Sequence, residues 1–231
     1  MMKTDDLESK LLKLFSREPT GKTEGDWLIE ETGSSSITIE ETVESGKGEV
    51  TFKNGRFIRF SVKLLGTNKF ISFFNRQEGD ALRKTCDGIF LARIEDRTIL
   101  CLVELKSTIN NNFRKAIRQI EGSYLRTALL LSLITDIKDI EPVVFIAGGL
   151  EKKEIDPDRE YLERTGKFRE RENDPGRKLK EFSRKGQVKI NFPFFLDDAI
   201  HQNYHKKNIK VTHLDFDADF DMQTLISGEK N

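Results

Sequence analysis

The chain has 231 residues, which suits one sizeable domain or two small ones. Its 39 basic and 39 acidic residues cancel, so a surface that binds nucleic acid must be local rather than a property of the whole chain. With only two cysteines, a disulfide scaffold is not expected. The acidic start does not resemble a signal peptide, and no apolar run is long enough to span a membrane. These features predict a cytoplasmic protein.

The first part of the chain predicts one helix followed by strands. Leucines and a phenylalanine at helical spacing over residues 7–15 predict a short amphipathic helix. Alternating or β-rich runs at 36–43, 49–52 and 56–62 predict strands. Asn54-Gly55 lies between the last two runs and predicts a β-hairpin that connects them.

The central segment has the most regular pattern. Apolar runs at 88–94 and 98–105 flank Glu95-Asp96-Arg97, which is typical of a buried antiparallel hairpin. Three asparagines at 110–112 then introduce a long helix predicted over 113–134. A short buried strand follows at 143–147 and ends at two glycines.

The last third begins with a change of composition. Residues 150–187 interleave acidic and basic side chains, and they predict an exposed, partly helical insertion. Residues 188–231 return to strand-like sequence, with a helix expected to start within 197–205 and a final strand over 210–216. We therefore expect one α/β domain over residues 1–231.

The register of the central hairpin brings three charged side chains together. A two-residue turn at Glu95-Asp96 would pair residue 94 with residue 97, and the same register places Asp87 opposite Glu104. Lys106 lies two residues further on and shares a strand face with Glu104. Two carboxylates at this apolar end would repel each other. A divalent cation such as Mg²⁺ or Mn²⁺ would neutralise that repulsion, and the carbonyl of Leu105 would be a further ligand.

Such a site has the parts that phosphodiester hydrolysis requires. A bound Mg²⁺ lowers the pKa of a coordinated water and neutralises charge that develops on a phosphate. Lys106 could orient that water and screen the phosphate charge. The competing interpretation is an ordinary hairpin end with solvated charges, where Lys106 simply pairs with Glu104.

The order of elements around these residues resembles the αβββαβ core of the PD-(D/E)XK nucleases. The resemblance covers about residues 55–150, and Thr85-Cys86-Asp87-Gly88 replaces the Pro-Asp dipeptide of the family motif. It implies a restriction-endonuclease-like fold whose mixed central sheet is flanked by helices, with a β-rich N-terminal elaboration and the 150–187 insertion added. It further implies that Asp87 and Glu104 bind metal and that Lys106 assists catalysis.

The resemblance also suggests supporting residues. It implies a catalytic contribution from Gln119 on the long helix, and an upstream acidic metal ligand for which Glu78 ranks ahead of Asp80 and Glu8. The basic side chains of the same helix are expected to bind nucleic acid; these are Arg114, Lys115 and Arg118.

The function implied is that of a metal-dependent endonuclease, with DNA favoured over RNA as the substrate. Proteins of this family often serve prokaryotic restriction, antiviral defence or mobile-element processing. A homodimer, or a subunit of a larger complex, is expected, with no membrane association. The alternatives are a catalytically inactive nuclease fold that acts as a binding or scaffold subunit, and a plain interaction protein.

Two further groups of residues could bind ligands. Asp197, His201 and His205 have the spacing of metal ligands on one helix face, although a solvated helix face explains them as well, and His213 is expected to pack. The alternating aspartates of 215–221 would share one face of a strand. They could bind calcium, mimic phosphates in a basic groove, or keep an edge strand soluble.

Overall fold

The computed structural model describes residues 7, 9–11, 29–31, 35–41, 48–65, 85–150, 174–194 and 202–227. Within these ranges the protein is α/β, with two β-sheets and few helices. Leu7 and residues 9–11 are helical, as the leucine spacing predicts. No helix in the described ranges is long and apolar enough to cross a membrane.

The larger sheet contains seven strands. In spatial order they are β1 (Ile29–Glu31), β4 (Arg56–Phe60), β5 (Gly88–Ile94), β6 (Arg97–Thr108), β7 (Glu141–Gly149), β9 (Lys206–Leu214) and β8 (Gln187–Phe192). Each of the first four is antiparallel to its neighbour, β6, β7 and β9 run parallel, and β8 is antiparallel to β9. The predicted mixed sheet is thus confirmed, and it continues well beyond residues 55–150.

A second sheet of three strands covers one face of the first. It has the order β10 (Ala218–Asp221), β3 (Glu49–Lys53) and β2 (Ser36–Glu40). Aromatic rings fill the space between the two sheets: the ring centroid of Phe52 lies 5.1 Å from that of Phe90 and 4.9 Å from that of Phe145. The β-rich elaboration therefore packs on the central sheet as a separate layer.

Helices cover the opposite face of the large sheet. The main ones are α2 (Phe113–Leu131) and α3 (Pro175–Lys185); α1 (Val62–Leu65) and α4 (Thr224–Ser227) are single turns, and 3-10 turns form at Ile137–Asp139 and Gln202–Tyr204. Apolar residues of α2 recur every three or four positions and pack on β6 and β7. Both long helices that the structure describes lie on this face. The prediction that helices flank the sheet therefore holds for one face only, because the small sheet covers the other.

The central hairpin forms in the predicted register. β5 and β6 pair from Ile94 with Arg97 through to Gly88 with Val103. Glu95 begins the two-residue turn with a positive φ of 51°, which is the conformation that such tight hairpin turns need. Because side chains alternate, Leu100 and Leu102 of β6 face the helices, whereas the intervening residues face the small sheet.

The predicted hairpin at Asn54-Gly55 is wrong. β3 pairs within the small sheet, whereas β4 pairs with β1 and β5 in the large one. The turn itself forms, with Asn54 at a φ of 64° and its N–H donated to the carbonyl of Ser35. Phe52 and Phe57, on either side of the turn, both enter the core between the sheets, and burial of both favours strands in facing layers over one hairpin.

Other predicted boundaries need correction. α2 ends at Leu131 rather than at residue 134, and β9 starts at Lys206, so His205 precedes a strand instead of lying on a helix. The segment 150–187 is partly structural, because Phe182 of α3 is fully buried; residues 151–173 lie outside the described ranges. The acidic segment forms an edge strand only over β10, since Asp217 has a φ of 61° that breaks the alternation.

Gly148 allows β7 to approach β6 at the end of their ladder. It has a φ of 140°, and a Cβ built there would lie 1.7 Å from the carbonyl oxygen of Lys106. We predict that Gly148→Ala lowers the free energy of unfolding by about 1–3 kcal/mol, as overpacking and strain do elsewhere. Gly149→Ala is the control, because its Cβ would lie 3.0 Å from the Ser107 carbonyl oxygen. Urea unfolding of both variants tests this, and equal losses would contradict it.

Candidate functional site

Three charged residues meet at the open end of the central hairpin. Gly88 pairs with Val103, so the next step of the ladder sets Asp87 opposite Glu104. Asp87 Oδ2 accepts a hydrogen bond of 2.7 Å from the backbone N–H of Leu105. This contact fixes the carboxylate against β6, and it brings together the two residues that the sequence predicts to lie opposite each other.

Glu104 is a buried carboxylate with an incomplete set of partners. Its side chain is fully buried, and Lys106 Nζ donates a hydrogen bond to Oε1. Lys106 Nζ also donates to the carbonyl oxygen of Leu105 over 3.0 Å, and 13% of the Lys106 side chain is exposed. Within the described residues, Glu104 Oε2 has no hydrogen-bond partner. An orphaned buried carboxylate oxygen is costly unless another group binds it.

The surroundings disfavour ionisation of both carboxyl groups. Burial raises the pKa of Glu104 well above its ordinary value, and the nearby charge of Asp87 raises it further, against the opposing effect of Lys106. Burial also raises the pKa of Asp87, while the Leu105 N–H and Lys106 lower it. A neighbouring cation would stabilise the ionised form of both carboxyl groups.

Helix α2 supports the segment that carries Asp87. Gln119 Nε2 donates a hydrogen bond of 3.0 Å to the carbonyl of Thr85, and Ser123 Oγ accepts one of 2.9 Å from the N–H of Cys86. Both contacts hold the backbone immediately before Asp87. The predicted catalytic residue Gln119 is therefore a positioning residue in this structure.

The basic residues predicted on α2 lie near its start. Lys115 is exposed, and its charge lowers the pKa of both Asp87 and Glu104, so it lies within electrostatic reach of the site. Arg114 is exposed and Arg118 is half-buried. A basic helix start beside two carboxylates can attract an anionic substrate towards them.

Glu41 joins the site from the small sheet, and the sequence did not single it out. Burial raises its pKa, the charge of Asp87 raises it further, and Lys106 lowers it. Its Oε2 is buried without a partner among the described residues. The signal was present in the sequence, because Glu41 continues the inward-facing series of Ile37 and Ile39 in β2.

Gly88 explains how Glu41 reaches this place. A Cβ at Gly88 would lie 2.8 Å from side-chain atoms of Ile39, so β2 crosses the start of β5 in direct contact. Only a residue without a side chain permits that approach. The small sheet thereby carries an acidic residue to the hairpin end formed by the large sheet.

The remaining candidate ligands do not join this group. Glu78, Asp80 and Glu8 lie outside the described residues, as do Asp197 and His201. His213 packs edge-on against the ring of Phe182 and places Nε2 2.8 Å from the Gly148 carbonyl oxygen, which confirms a packing role. In the described part of the chain, no cluster of three or more His, Cys, Asp or Glu side chains is arranged to hold a metal ion.

No protein-family model, curated protein or solved structure matches this chain. What the site can do must therefore be argued from its own geometry and chemistry.

The raised pKa of Glu104 has a consequence for stability. The folded protein retains this proton at pH values where the unfolded chain has lost it, so unfolding becomes easier as the pH rises above the ordinary value of 4.5. We predict that the melting temperature in EDTA falls with rising pH, and that Glu104→Gln makes this fall less steep. Melting curves from pH 4.5 to 8 test it, with the exposed Glu49→Gln as control. Parallel profiles for wild type and Glu104→Gln would contradict the prediction.

Proposed function

We propose that this protein is a metal-dependent endonuclease that hydrolyses phosphodiester bonds, built on a restriction-endonuclease-like core. The observation that carries the proposal is the position of Asp87, which follows the last ladder pair and accepts from the Leu105 N–H, beside the buried Glu104, with Lys106 on the same strand face. The succession of antiparallel β4, β5 and β6, then α2, then a parallel β7 supports the αβββαβ core of the PD-(D/E)XK nucleases.

The residues present fit a hard divalent cation. Mg²⁺ and Mn²⁺ prefer oxygen ligands, and one hairpin end offers a backbone carbonyl and two carboxylates, one of which has an oxygen without a hydrogen-bond partner among the described residues. Asp87, Glu104 and the Leu105 carbonyl would hold the ion, and Glu41 would support the site electrostatically from the opposite layer without ligating the ion. Lys106 Nζ binds Glu104 and the Leu105 carbonyl, so it lies where the positive charge is needed.

The side chains have distinct tasks in hydrolysis. A cation bound by these residues would lower the pKa of a coordinated water and would neutralise charge on the phosphate. Lys106 can donate a hydrogen bond to the attacking water or to a phosphate oxygen, because its ammonium is partly exposed beside both carboxylates. Asp87 is held by the Leu105 N–H, so its carboxylate does not have to be ordered during the reaction.

Nucleic acid is the proposed substrate, with DNA favoured over RNA, and a homodimer would place two sites across two strands. The main alternative is an inactive nuclease fold that binds nucleic acid as part of a complex. A specific observation favours this alternative: Lys106 already satisfies one oxygen of Glu104, as in a purely structural ion pair. Restriction, antiviral defence and mobile-element processing remain the proposed biological settings.

Cleavage assays test the proposal directly. We expect the protein to cut plasmid DNA with Mg²⁺ or Mn²⁺ and not with EDTA, with structured RNA as the second substrate. Asp87→Asn, Glu104→Gln and Lys106→Met should each lower the rate about 100-fold or more, since each removes a ligand or a proton donor. Asp96→Asn, in the turn at the other end of the same hairpin, should cut like wild type.

Two results would contradict this proposal. Cleavage by all three site variants at the wild-type rate would show that another site, or a contaminant, cuts. Binding of DNA without cleavage under every metal condition would favour the inactive binding subunit.

Metal binding can be measured without cleavage. A cation that binds only the folded state raises the melting temperature, so we expect Mn²⁺ to stabilise the wild type and not Glu104→Gln. Glu41→Gln should weaken Mn²⁺ binding about tenfold or more, within the range found for supporting residues. The neighbouring Glu40→Gln is the matched control, because Glu40 is exposed and points away from the site. Equal Mn²⁺ affinity for the Glu40 and Glu41 variants would exclude a role for Glu41.

A further inference from the structure

Helix α3 precedes β8 and lies at the end of the large sheet where the strands carry the candidate site. The ring of Phe182 in α3 packs on Phe113 at the start of α2, with centroids 5.4 Å apart, and it also meets the edge of His213. His213 contacts the Gly148 carbonyl oxygen, and Gly148 is the ladder partner of Lys106. A continuous series of contacts therefore joins α3 to the strand that carries Lys106.

Three exposed cations line one side of α3, next to the carboxylate of Glu181. Arg177, Lys180 and Arg184 are exposed, and their spacing of three and then four residues aligns them along one side of the helix. The side opposite holds the buried Phe182. At a rise of about 1.5 Å per residue the three cations span roughly 10 Å. We refer to these three residues as the α3 stripe.

The other charged residues of α3 are occupied. Lys185 forms an ion pair of 3.1 Å with Glu181, and Lys178 Nζ donates a hydrogen bond of 2.6 Å to the carbonyl of Lys189. The α3 stripe forms no ion pair within the part of the chain that the structure describes, although the charge of Arg177 helps to lower the pKa of Glu181 one turn further on. In a chain whose net charge is zero, this is a local concentration of cations.

We propose that the α3 stripe binds the phosphate backbone of a nucleic acid and guides the strand to the hairpin end that carries Lys106. This inference rests on the proposed function, and it extends the substrate surface beyond α2. Repeated contacts between Lys or Arg and phosphates position a nucleic acid without reading its sequence. Phe113, which packs on Phe182, is followed by the exposed Arg114 and Lys115, and Lys115 lies within electrostatic reach of both carboxylates.

A nucleic acid fits the α3 stripe better than an anionic membrane does. A basic helix that binds membranes inserts its apolar face between lipids. The apolar face of α3 is already used in the core, because Phe182 is fully buried against α2 and β9. The exposed side of α3 presents a row of cationic side chains, and such a row is complementary to a polymer with regularly spaced phosphates.

Binding measured in EDTA separates this inference from catalysis. The probe is a fluorescently labelled DNA duplex, followed by anisotropy over a series of salt concentrations. The triple variant Arg177→Gln, Lys180→Gln, Arg184→Gln should bind about tenfold more weakly or worse, and the slope of log affinity against log salt should fall by about 2 to 3, near 0.9 per lost phosphate contact. Gln is a good helix former, so α3 should stay folded, and circular dichroism checks this.

Two further variants make the test specific. The control Lys138→Gln, Lys207→Gln, Lys210→Gln removes the same charge from exposed lysines outside α3, and it should keep near wild-type affinity. The charge-conserving variant Arg177→Lys, Lys180→Arg, Arg184→Lys should also bind well. Equal weakening by the stripe variant and the control would overturn the inference, as would an unchanged duplex affinity with loss of binding to phosphatidylserine vesicles.

Cleavage in Mg²⁺, measured on the same variants, separates the two proposals. If the wild type binds through the α3 stripe but cuts nothing, the nuclease proposal fails and the α3 stripe stands. If the wild type cuts and the stripe variant binds and cuts equally well, the inference fails and the nuclease proposal stands.

Discussion

The arrangement of the candidate site depends on the burial of Glu104. A carboxylate without water must be neutralised by its neighbours, and a buried ion pair rarely recovers the whole cost of desolvation. Lys106 binds one oxygen of Glu104, but Asp87 adds a second negative charge nearby. The fold thus keeps an electrostatically unfavourable group at the end of its most apolar hairpin. Such a group is a recognised sign of a functional site, and here a divalent cation would relieve it.

The layers on either side of the large sheet support this group differently. The helical layer fixes the backbone before Asp87 through Gln119 and adds the positive charge of Lys115. The small sheet brings the carboxylate of Glu41, because Gly88 lets β2 cross β5 in contact. Helix α3 presents Arg177, Lys180 and Arg184 to solvent on the helical side. Acidic and basic side chains therefore meet at one end of the large sheet, an arrangement that would suit a polyanionic substrate.

Local sequence patterns succeeded where the pairing partner was close in the chain. The hairpin over β5 and β6 has a two-residue turn and buried runs on both sides, so its register, and with it the position of Asp87 opposite Glu104, followed from counting residues. The same type of turn signal failed at Asn54-Gly55, because the strands after it pair with distant partners. A turn residue determines that the chain reverses direction, but it does not choose between one sheet and two facing layers.

The sequence by itself thus determined the central hairpin, the helix and parallel strand that follow, and the meeting of Asp87, Glu104 and Lys106 at the hairpin end, since these depend on alternation and short-range register. Only the tertiary structure decided that Glu41 lies within electrostatic reach of them, that Gln119 hydrogen-bonds the backbone of Thr85, and that residues 175–185 are a packed helix with exposed cations. Each of these depends on contacts between segments far apart in the chain. Charge and periodicity identify which side chains can do chemistry, but packing between distant layers decides which of them meet.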